Sequence, residues 1–548
     1  MIRKNFLADT NDALLTDHPL TRNIFLWVPP LLAILAIWGA LSWWPLWILV
    51  AFLVVTFGFA VWDFFQRRHT LRRNYPVMSR VRWLAEELRP FAQAYFVQGD
   101  LEGRPFNHDQ MALVYARAKG QEDAQPFGTE LDVYAEGYLA LSHSMAPVLG
   151  PPADPRVDVG NAQCRQPYSA SCLNISAMSY GSLGSRAIEA LNRGAAIGGF
   201  AQDTGEGGIS PYHRNGGDLI WEVGTGYFGA RTPDGDFDPA MFADKAQDPQ
   251  VKMTELKISQ GAKPGKGGML PGPKVTQEIA DIRGVPAGKD VFSPSAHTVF
   301  STPIELLEFL AKMRDLSGGK PVGMKFCVGY PHEVFALGKA MLETGIRPDF
   351  VIVDGGEGGT GAAPQEMSDH VGLPLREGLI MVRNMLVGCG VKDEVKIGCA
   401  GKVYSGATMA MQFALGADWC NAGRAFMFAL GCVQSQRCHT DQCPTGVATT
   451  SEARQRGLVI EDKAPRVASF HQKTIRSLRH LMTAAGIEEH TEFEPFHLRQ
   501  RVSVAEMMSV DRVYQFVEPG QLLSDAAATR YGRWWEMAQA ETFRPRCL

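Results

Sequence analysis

The sequence predicts an α/β protein built on a (β/α)8 barrel, the TIM-barrel fold, preceded by two transmembrane helices and a helical connector. Two observations predict this order. From about residue 170 onward, short apolar runs alternate with amphipathic segments of helical periodicity, a pattern typical of parallel strands that are covered by helices on both faces. Ahead of that region, residues 24–62 contain no charged side chain.

The apolar stretch near the N-terminus is the first element. A helix needs roughly 20 apolar residues to cross the hydrocarbon layer, and this stretch holds about two such lengths, separated by a break at Ser42–Pro45. A cleaved signal peptide is the alternative, but it would have one short apolar segment and a small-residue cleavage site. We therefore expect a transmembrane hairpin of two helices over residues 24–64, after an N-terminal tail over residues 1–23.

Positive charge on both flanks predicts the orientation of this hairpin. Arg3, Lys4 and Arg22 precede it, and an arginine-rich run follows it over residues 63–83. Because positively charged loops stay on the cytoplasmic side, both ends of the hairpin and the whole barrel are expected in the cytoplasm, at the inner membrane. The cytosol is reducing, so the ten cysteines need not form disulfides there. The net charge of −4 gives no case for nucleic-acid binding.

The rest of the chain divides into a connector, the barrel and an extension. We expect a helical connector over residues 65–155, the barrel over 156–485 and a C-terminal helical extension over 486–548. About eight strand–helix units are expected in the barrel, and six of its strands are identified as apolar runs: 171–181, 200–208, 321–329, 348–359, 395–402 and 417–425. Alternation alone leaves a doubly wound open sheet possible.

The placement of polar and glycine-rich clusters favours the barrel. Each cluster lies at the carboxyl end of a predicted strand: Ser179, 203–208, Lys325, 354–364, Gly401–Lys402 and Gly423–Arg424. Barrels build their sites at the carboxyl ends of strands and hold phosphate after the seventh and eighth. Glycine amides with one cation each suit a phosphate monoester, although a single glycine after a strand is more often only a turn. Since the chain shows no dinucleotide-binding motif, the pattern suggests FMN.

Three of the ten cysteines lie close together in GCVQSQRCHTDQCPTG, at Cys432, Cys438 and Cys443. Three is the wrong number for closed disulfide pairing, and it is one short of a four-thiolate zinc site. Two interpretations stand at this point. The triplet holds a metal cluster, since thiolates are soft donors that suit iron–sulfur centres, or it is a group of buried free thiols, which are common in protein cores.

Five ordered stretches resemble the FMN-binding synthase domain of glutamate synthases, above all its stand-alone archaeal-type branch. They are ISAMSYGSL, SQGAKPGKGGMLPGPKV, DGGEGGTGAAP, GRAFMFALGC and CHTDQCPTGVAT, and the resemblance covers roughly residues 165–485. It implies reductive amination of 2-oxoglutarate to glutamate, with ammonia as the nitrogen source and reduced FMN as the hydride donor. It also implies that Cys432, Cys438 and Cys443 bind a [3Fe–4S] cluster.

The resemblance assigns roles to further residues. Substrate-binding positions are Lys257, Gln260, Lys263 and Arg283, and catalytic positions are Glu206, Lys263 and Lys325. Cofactor-binding positions are Ala177, Met178, Ser179, Lys325, Gly355, Gly356, Gly401, Lys402, Gly423 and Arg424. Lys325 lies inside an apolar run, where a lysine without a partner is costly. It is either a cation beside the flavin or part of an ion pair buried in the barrel.

Two departures from the large glutamate synthases bear on the function. The chain shows no N-terminal cysteine nucleophile domain, so ammonia is expected from a separate glutaminase subunit or from solution. Electrons are expected from a ferredoxin or an NAD(P)H-oxidising subunit. Met269 stands where the larger enzymes carry a polar residue. A second interpretation therefore remains: a flavin and iron–sulfur oxidoreductase or electron-transfer module for another amino or keto acid, such as N-methylglutamate.

Overall fold

The computed structural model describes residues 23–149 and 153–547. The chain folds as two compact units, Met1–Pro105 and Phe106–Leu548. Of the predicted N-terminal tail, residues 1–22, with Arg3, Lys4 and Arg22, lie outside the described residues.

The first unit begins with two apolar helices, α1 (Ile24–Ala40) and α2 (Leu46–Phe65). Small side chains fill the contact between them, at Ala33, Ala36 and Ala60, while most of their large apolar side chains are exposed. Among the described residues, only α2 is both long and apolar enough to cross a membrane, because α1 has 17 residues. One of the two predicted spans is therefore a candidate by length and composition, and the second is shorter than expected.

Two more helices complete the first unit, α3 (Thr70–Asn74) and α4 (Met78–Ala92), and α4 continues into a π-helical turn over Gln93–Val97. The elbow between α2 and α4 is fixed by an ion pair. Arg80 donates from Nε and Nη2 to the two carboxylate oxygens of Asp63, at 2.8 Å each, and the backbone N–H of Val77 donates to the same carboxylate at 3.1 Å.

The second unit contains the barrel, and its eight strands are all parallel. They are β4 (Leu173–Ile175), β5 (Ala201–Asp203), β6 (Asp218–Val223), β7 (Val251–Lys257), β10 (Val322–Phe326), β11 (Phe350–Asp354), β12 (Lys396–Ala400) and β13 (Trp419–Ala422). Each strand pairs with the next in this order, and β13 pairs with β4, which closes the sheet. The closed barrel confirms the predicted fold and excludes the open sheet.

Helices cover the outside of the barrel and line its loops. They are α5 (His108–Ala118), α6 (Ser185–Gly198), α7 (Pro239–Ala246), α8 (Gln277–Arg283), α9 (Pro303–Leu316), α10 (Pro331–Thr344), α11 (Gln365–His370), α12 (Leu375–Gly388), α13 (Gly406–Ala414), α14 (Arg424–Leu430), α15 (Glu452–Gln455) and α16 (Ile460–Ala485). Their ends follow local chemistry. Thr302 and Glu305 form a capping box at the start of α9, and Gly345 ends α10 in the left-handed conformation that favours glycine.

Smaller elements surround the barrel. The strands are β1 (Leu139–Leu141), β2 (Arg156–Val159), β3 (Tyr168–Ser171), β8 (Met269–Leu270), β9 (Val291–Phe292), β14 (Leu498–Arg501) and β15 (Met507–Ser509). The last helices are α17 (Val510–Val513), α18 (Gln521–Ser524) and α19 (Gly532–Met537). The stretch after residue 486 thus contains strands as well as helices, because β14 pairs with both β1 and β15.

Strands β6 and β7 are absent from the six identified in the sequence. Their sequences, DLIWEV and VKMTELK, carry charged residues inside what are almost fully buried strands. These charges interrupt the apolar runs by which the other strands were identified. They also supply part of the charged layer inside the barrel.

Candidate active site

Charged side chains meet inside the barrel, near the carboxyl ends of its strands. Lys325 of β10 forms ion pairs with Glu222 of β6 and with Glu255 of β7, the latter at 3.1 Å between Nζ and Oε1. All three residues are buried, with 4% of Lys325 and 0% of Glu255 exposed. Of the two interpretations of Lys325, the ion pair buried in the barrel is present, and its place beside a flavin stays a prediction.

The carboxylates of this layer outnumber the nearby ammonium groups. Burial raises the pKa of Glu255 well above its usual value, and the negative charges of Asp203 and Asp354 raise it further. Burial also raises the pKa values of Asp203 and Asp354, although Lys325 opposes the shift in both. The raised pKa of Glu255 favours its protonated form, which lowers the charge imbalance of the layer.

Oxygens of Asp203, Glu222 and Glu255 lie within 4.8 Å of one another. Such spacing suits a divalent cation, yet the ammonium group of Lys325 already neutralises part of this charge. Glu222 and Glu255 were not among the residues predicted from the sequence. Their positions within buried strands are the signal that identifies them, because a carboxylate inside a barrel needs a partner.

Lys257 links this layer to the mouth of the barrel. It is the last residue of β7, and its Nζ lies 3.1 Å from Oε2 of Glu206 and 3.7 Å from Oε1 of Glu222. Burial raises the pKa of Glu206, but the positive charges of Lys257 and Arg283 outweigh that effect and hold it below its usual value. Glu206 is therefore a carboxylate at neutral pH.

Glycines keep the carboxylate of Glu206 in place. A Cβ atom on Gly268 would come within 1.7 Å of Oε1 of Glu206, and one on Gly224 would come within 2.9 Å of its Cβ. Both positions must therefore lack a side chain for the present geometry. The GKGGM segment, Gly265–Met269, thus forms one wall around Glu206.

Arg283, at the end of α8, lies on the other side of Glu206. Its Nη2 donates to the carbonyl oxygen of Tyr180 at 2.9 Å and to Oγ of Ser179 at 3.3 Å. Burial lowers the pKa of Arg283 to about 10, and the charge of Glu206 opposes that shift. The structure therefore brings the predicted residues Ser179, Glu206 and Arg283 together.

Lys263 follows in the loop after β7, and its Nζ donates to the carbonyl oxygen of Ala362 at 2.6 Å. Burial lowers its pKa to about 8, while Glu206 opposes the shift. A cavity of about 10 Å³ lies beside Glu206, Lys257 and Gln260. This volume holds about one molecule the size of water.

The loops after β7 and β11 are in close contact. The backbone N–H of Gly261 donates to Oδ2 of Asp354 at 2.8 Å. A Cβ atom on Gly261 would lie 1.8 Å from the carbonyl oxygen of Gly355. The predicted substrate loop and the DGGEGG loop therefore form one continuous rim.

The predicted phosphate cradle lies at the ends of β12 and β13. A Cβ atom on Gly401 would contact Leu375, whereas one on Gly423 would occupy space beside Ser176 and Met178. Gly423 precedes α14, whose first N–H groups have no partner within the helix. Lys402 has a left-handed φ of 51°.

Arg424 contacts the loop after β11 and the ring of Phe106. Its Nη2 donates to the carbonyl oxygen of Glu357 at 2.7 Å, and its guanidinium lies 5.0 Å from the ring centre of Phe106. It therefore positions the 354–364 loop in this structure. The backbone around Gly423 remains the better candidate for a phosphate contact.

The cysteine loop follows α14 and is pinned to α5 and the segment before it. Gln434 exchanges two hydrogen bonds with the backbone of Phe106, and the hydroxyl of Tyr115 donates to the carbonyl oxygen of Cys432 at 2.5 Å. All three thiols are free of disulfides.

Backbone groups around Cys443 favour its thiolate. Burial raises the pKa of the Cys443 thiol, but hydrogen bonds from the backbone at Ala448, Thr445 and Val447 outweigh it and lower the pKa. For Cys432, burial dominates and raises the pKa to about 12. Among the three, Cys443 is thus the thiol most ready to act as a ligand.

Lys274 joins the substrate wall to the cysteine loop, although no motif in the sequence identifies it as a site residue. Its side chain is 2% exposed. Its Nζ donates to the carbonyl oxygens of Ser182 at 2.7 Å and of Cys438 and Ala448 at 3.3 Å each. Lys274 lies in the LPGPKV turn, two residues after Gly272, which packs against Gly288. This turn brings the Lys274 ammonium within hydrogen-bond distance of the cysteine loop.

A further cavity lies at the other end of the barrel. It encloses about 560 Å³ and is lined by Tyr168, Val251, Lys252 and Lys320, among others. Val251 and Lys252 begin β7, and Lys320 precedes β10. The cavity therefore lies at the amino-terminal ends of these strands, where barrels carry stabilising rather than catalytic groups. We place the active site at the opposite face, because the predicted site residues converge there.

A closed barrel with charged side chains gathered at the carboxyl ends of its strands defines an enzyme of the α/β-barrel class. The conserved region of glutamate synthase matches residues 153–488. The chain therefore belongs to the glutamate synthase family and is an oxidoreductase of the class that acts on CH–NH2 donors.

Individual relatives agree with this assignment. The chain is 36% identical over 495 residues to the glutamate synthase large subunit-like protein YerD of Bacillus subtilis, a match that covers 82% of this chain and 94% of YerD. It is 34% identical over 360 residues to the archaeal-type glutamate synthase (NADPH) of Thermotoga neapolitana, which covers 65% of this chain and 64% of the relative. For the archaeal enzyme of Methanocaldococcus jannaschii the match covers 58% of the relative.

Solved structures show weaker similarity. A mandelate oxidase variant is 15% identical, with a TM-score of 0.39, over 68% of this chain and 88% of the oxidase. A flavocytochrome b2 variant with pyruvate bound is 13% identical, with a TM-score of 0.39, over 77% of this chain and 85% of the variant. A TM-score this low gives these similarities no weight for the site.

Proposed function

We propose that the protein is a glutamate synthase that converts 2-oxoglutarate, ammonia, two electrons and two protons to glutamate and water. FMN and a [3Fe–4S] cluster serve as its cofactors. The observation that carries the proposal is the convergence of Lys257, Lys263 and Arg283 around Glu206 at the carboxyl end of the barrel. Membership of the glutamate synthase family supports it.

The cations explain how a dicarboxylate substrate is held. 2-Oxoglutarate carries two negative charges, and buried ammonium and guanidinium groups bind carboxylates through charge-assisted hydrogen bonds. Arg283 offers a planar fork, and Lys263 and Lys257 offer single charges. Gln260 adds a neutral polar group at the wall of the small cavity.

Glu206 suits the binding of ammonia. Its carboxylate accepts hydrogen bonds, and the adjacent cavity of about 10 Å³ is large enough for one small molecule. A carboxylate with a lowered pKa orients ammonia by accepting from its N–H groups. It also accepts the proton released when nitrogen attacks the keto carbon.

FMN fits the strand ends that carry the predicted phosphate contacts. Gly423 leaves space beside Ser176 and Met178 that a side chain would fill. The residues proposed to hold the cofactor are Ala177, Met178, Ser179, Lys325, Gly355, Gly356, Gly401, Lys402, Gly423 and Arg424. When bound, FMN supplies hydride to the substrate carbon.

Lys325 has a second proposed role besides its ion pairs. Its ammonium lies in a buried layer that Glu222 and Glu255 neutralise. A cation held there at fixed distance stabilises negative charge that develops nearby during the reaction. Because the pKa of Glu255 is raised, its carboxyl group is the one that gains or loses a proton within this layer.

The cysteine loop fits a [3Fe–4S] cluster. Such a cluster takes one thiolate for each of three irons, which matches three ligands that need not meet at a single ion. The buried ammonium of Lys274 near Cys438 offsets the negative charge of thiolates and sulfides. When bound, the cluster passes single electrons.

Partners supply the remaining reactants. Relatives named as glutamate synthases (NADPH) support NADPH as the ultimate reductant, delivered by an NAD(P)H-oxidising subunit or a ferredoxin. Ammonia comes from solution or from a separate glutaminase subunit.

We also propose that residues 24–65 anchor the protein in the inner membrane with the barrel in the cytoplasm. The apolar surface of α1 and α2 supports this proposal, since their large side chains face outward. Reporter fusions at the C-terminus test the orientation. An externally exposed C-terminus would reject it.

Cofactor content is the first test. Anaerobically purified protein is expected to release FMN on denaturation, identified by mass, and to contain iron and acid-labile sulfide in a ratio near that of a [3Fe–4S] cluster. Release of FAD, or protein without iron, would reject the corresponding assignment.

A substrate panel separates the two proposed activities. The purified chain is supplied with a viologen reductant and with pairs of keto acid and amine. Ammonia with 2-oxoglutarate is expected to give the highest rate. If methylamine is preferred, and N-methylglutamate is the product, the second interpretation is correct and Met269 is the first residue to examine.

A further inference from the structure

The segment that follows α2 is strongly basic. Between Phe64 and Ala85 the sequence contains no acidic residue. It contains six arginines, Arg67, Arg68, Arg72, Arg73, Arg80 and Arg82. Two of these arginines pair with carboxylates that flank the segment, Arg80 with Asp63 and Arg82 with Glu86, the latter at 3.7 Å between Nε and Oε1.

Helix α4 within this region is amphipathic. Val81, Leu84, Leu88 and Phe91 recur at helical spacing and share one face, and they are 46% to 67% exposed. Arg82, Glu86 and Arg89 occupy the other face. These apolar side chains are exposed in the part of the chain that the structure describes, and the exposed Tyr95, Phe96 and Val97 follow in the next turn.

The elbow fixes where this helix starts. The bidentate ion pair of Arg80 with the buried Asp63 joins the first turn of α4 to the last turn of α2. The guanidinium of Arg72 lies 4.5 Å from the ring centre of Trp83, which adds a second contact inside the elbow. An apolar helix of membrane-spanning length therefore ends where an amphipathic helix begins.

We propose that α4 is an interfacial helix that binds the surface of a bilayer rich in anionic phospholipid. Its apolar face enters the boundary between headgroups and acyl chains, and the arginines of the 67–82 segment bind lipid phosphates. Two features favour lipid over a protein partner. The basic segment complements anionic headgroups, and the apolar face is continuous with the end of the candidate membrane span.

This inference goes beyond the proposed reaction and depends on the proposed anchor alone. It is tested in the full chain, with Cys547 replaced by serine and one new cysteine carrying an environment-sensitive fluorophore. Leu88→Cys places the fluorophore on the apolar face, Glu86→Cys on the polar face of the same helix, and Val54→Cys in α2. The serine background, labelled in parallel, corrects for reaction of the native cysteines.

The protein is reconstituted in vesicles of phosphatidylcholine with phosphatidylglycerol, and in vesicles of phosphatidylcholine alone. Quenchers attached to the lipid acyl chains are expected to quench the label at residue 88 several-fold more than the label at 86. That difference is expected to shrink in vesicles without phosphatidylglycerol. Replacing Arg67, Arg68, Arg72 and Arg73 by glutamine is expected to weaken the lipid dependence in the same way.

The label in α2 separates failure of this inference from failure of the anchor. If the lipid-attached quenchers quench the label at residue 54 but quench the labels at residues 86 and 88 equally, α4 does not bind the bilayer and the inference is wrong. If the label at 88 is shielded equally in detergent, in a manner that depends on protein concentration, a second copy of the chain covers the face instead. If the label at 54 is not quenched, both the anchor and the inference fail.

Discussion

A single lysine shows how one residue organises the barrel interior. Lys325 bridges Glu222 and Glu255 across three strands. Charges this deeply buried persist only when they are paired. The ion pairs therefore account for a lysine within an apolar strand. They also place a titratable carboxyl, Glu255, inside the layer.

The first prediction concerns the pH dependence of stability. Burial raises the folded-state pKa of Glu255 above its ordinary value, so its contribution to stability is full below that value and falls as pH rises toward the folded pKa. Glu255→Gln removes this pH-dependent loss. The difference in thermal unfolding midpoint, variant minus wild type, is expected to increase from pH 5 to pH 8.

The exposed Glu308→Gln on α9 is the matched control and is expected to show no such trend. A constant difference between Glu255→Gln and wild type across the pH range would mean that the folded protein binds no more protons at Glu255 than the unfolded chain does, and that its folded-state pKa is not raised.

The second prediction concerns Lys263, whose pKa burial lowers to about 8. Its ammonium binds a carboxylate only while protonated, so the KM for 2-oxoglutarate is expected to rise as pH passes through about 8. Lys263→Met is expected to raise KM roughly tenfold or more, as loss of a charge-assisted hydrogen bond does, and to remove that rise. Initial rates at several pH values measure both effects.

Lys252→Met serves as control, since Lys252 lies at the opposite end of the barrel. An unchanged KM profile in Lys263→Met would place Lys263 outside the substrate site.

At the scale of elements, the sequence predicts the strands in which apolar residues prevail. PVGMKFCVG and PDFVIVDGGEGG were identified because their apolar runs are nearly unbroken, and the structure confirms β10 and β11 there. Strands β6 and β7 were missed because Glu222 and Glu255 interrupt them. Pairing across the barrel makes these charges tolerable, and a single strand's sequence does not contain that pairing.

The site residues also divide into those that the sequence predicts and those that it does not. The resemblance of motifs to a known family identifies Glu206, Lys257, Lys263 and Arg283, and the structure brings these residues together. Lys274 and the two buried glutamates were not found, because their partners lie far away in sequence. Arg424 was expected at a phosphate, whereas its guanidinium bonds Glu357.

The third prediction concerns the cysteine loop. Cys438→Ser is expected to remove or cripple the cluster, because a serine oxygen is a harder and poorer ligand for iron than a thiolate. Most of the flavin is expected to remain, since its proposed contacts lie on other loops. Iron, acid-labile sulfide and flavin per chain are measured, together with turnover with ferredoxin and with a small viologen reductant.

Cys389→Ser is the control, because Cys389 is buried beside α10, away from the loop. Turnover of Cys438→Ser is expected to fail with ferredoxin and to persist with the viologen. Full iron content in Cys438→Ser would show that this residue is not a ligand.

At the scale of the whole molecule, the two units have separate cores. The large core of the second unit begins at Phe106 and contains no residue before it, whereas a small cluster of alanine, valine and leucine joins α1 to α2. The barrel therefore holds its core without the first unit. A fold of this kind tolerates loss of an N-terminal anchor.

The fourth prediction follows from that separation. Deletion of residues 1–64 is expected to give a protein that needs no detergent, retains flavin and still sediments with anionic vesicles through α4. Deletion of residues 1–105 is expected to retain flavin and lose vesicle binding. Loss of flavin in both variants would show that the first unit is required for the barrel to fold.

The central claim is that this chain makes glutamate, and one measurement tests it most directly. Purified, cofactor-replete protein is incubated without oxygen with 2-oxoglutarate, 15N-labelled ammonium and a reduced viologen, and the products are examined by mass spectrometry. The account predicts glutamate that carries 15N, formed over many turnovers and reduced at least tenfold in Lys263→Met. Unlabelled or absent glutamate from protein with full FMN and iron content would contradict it.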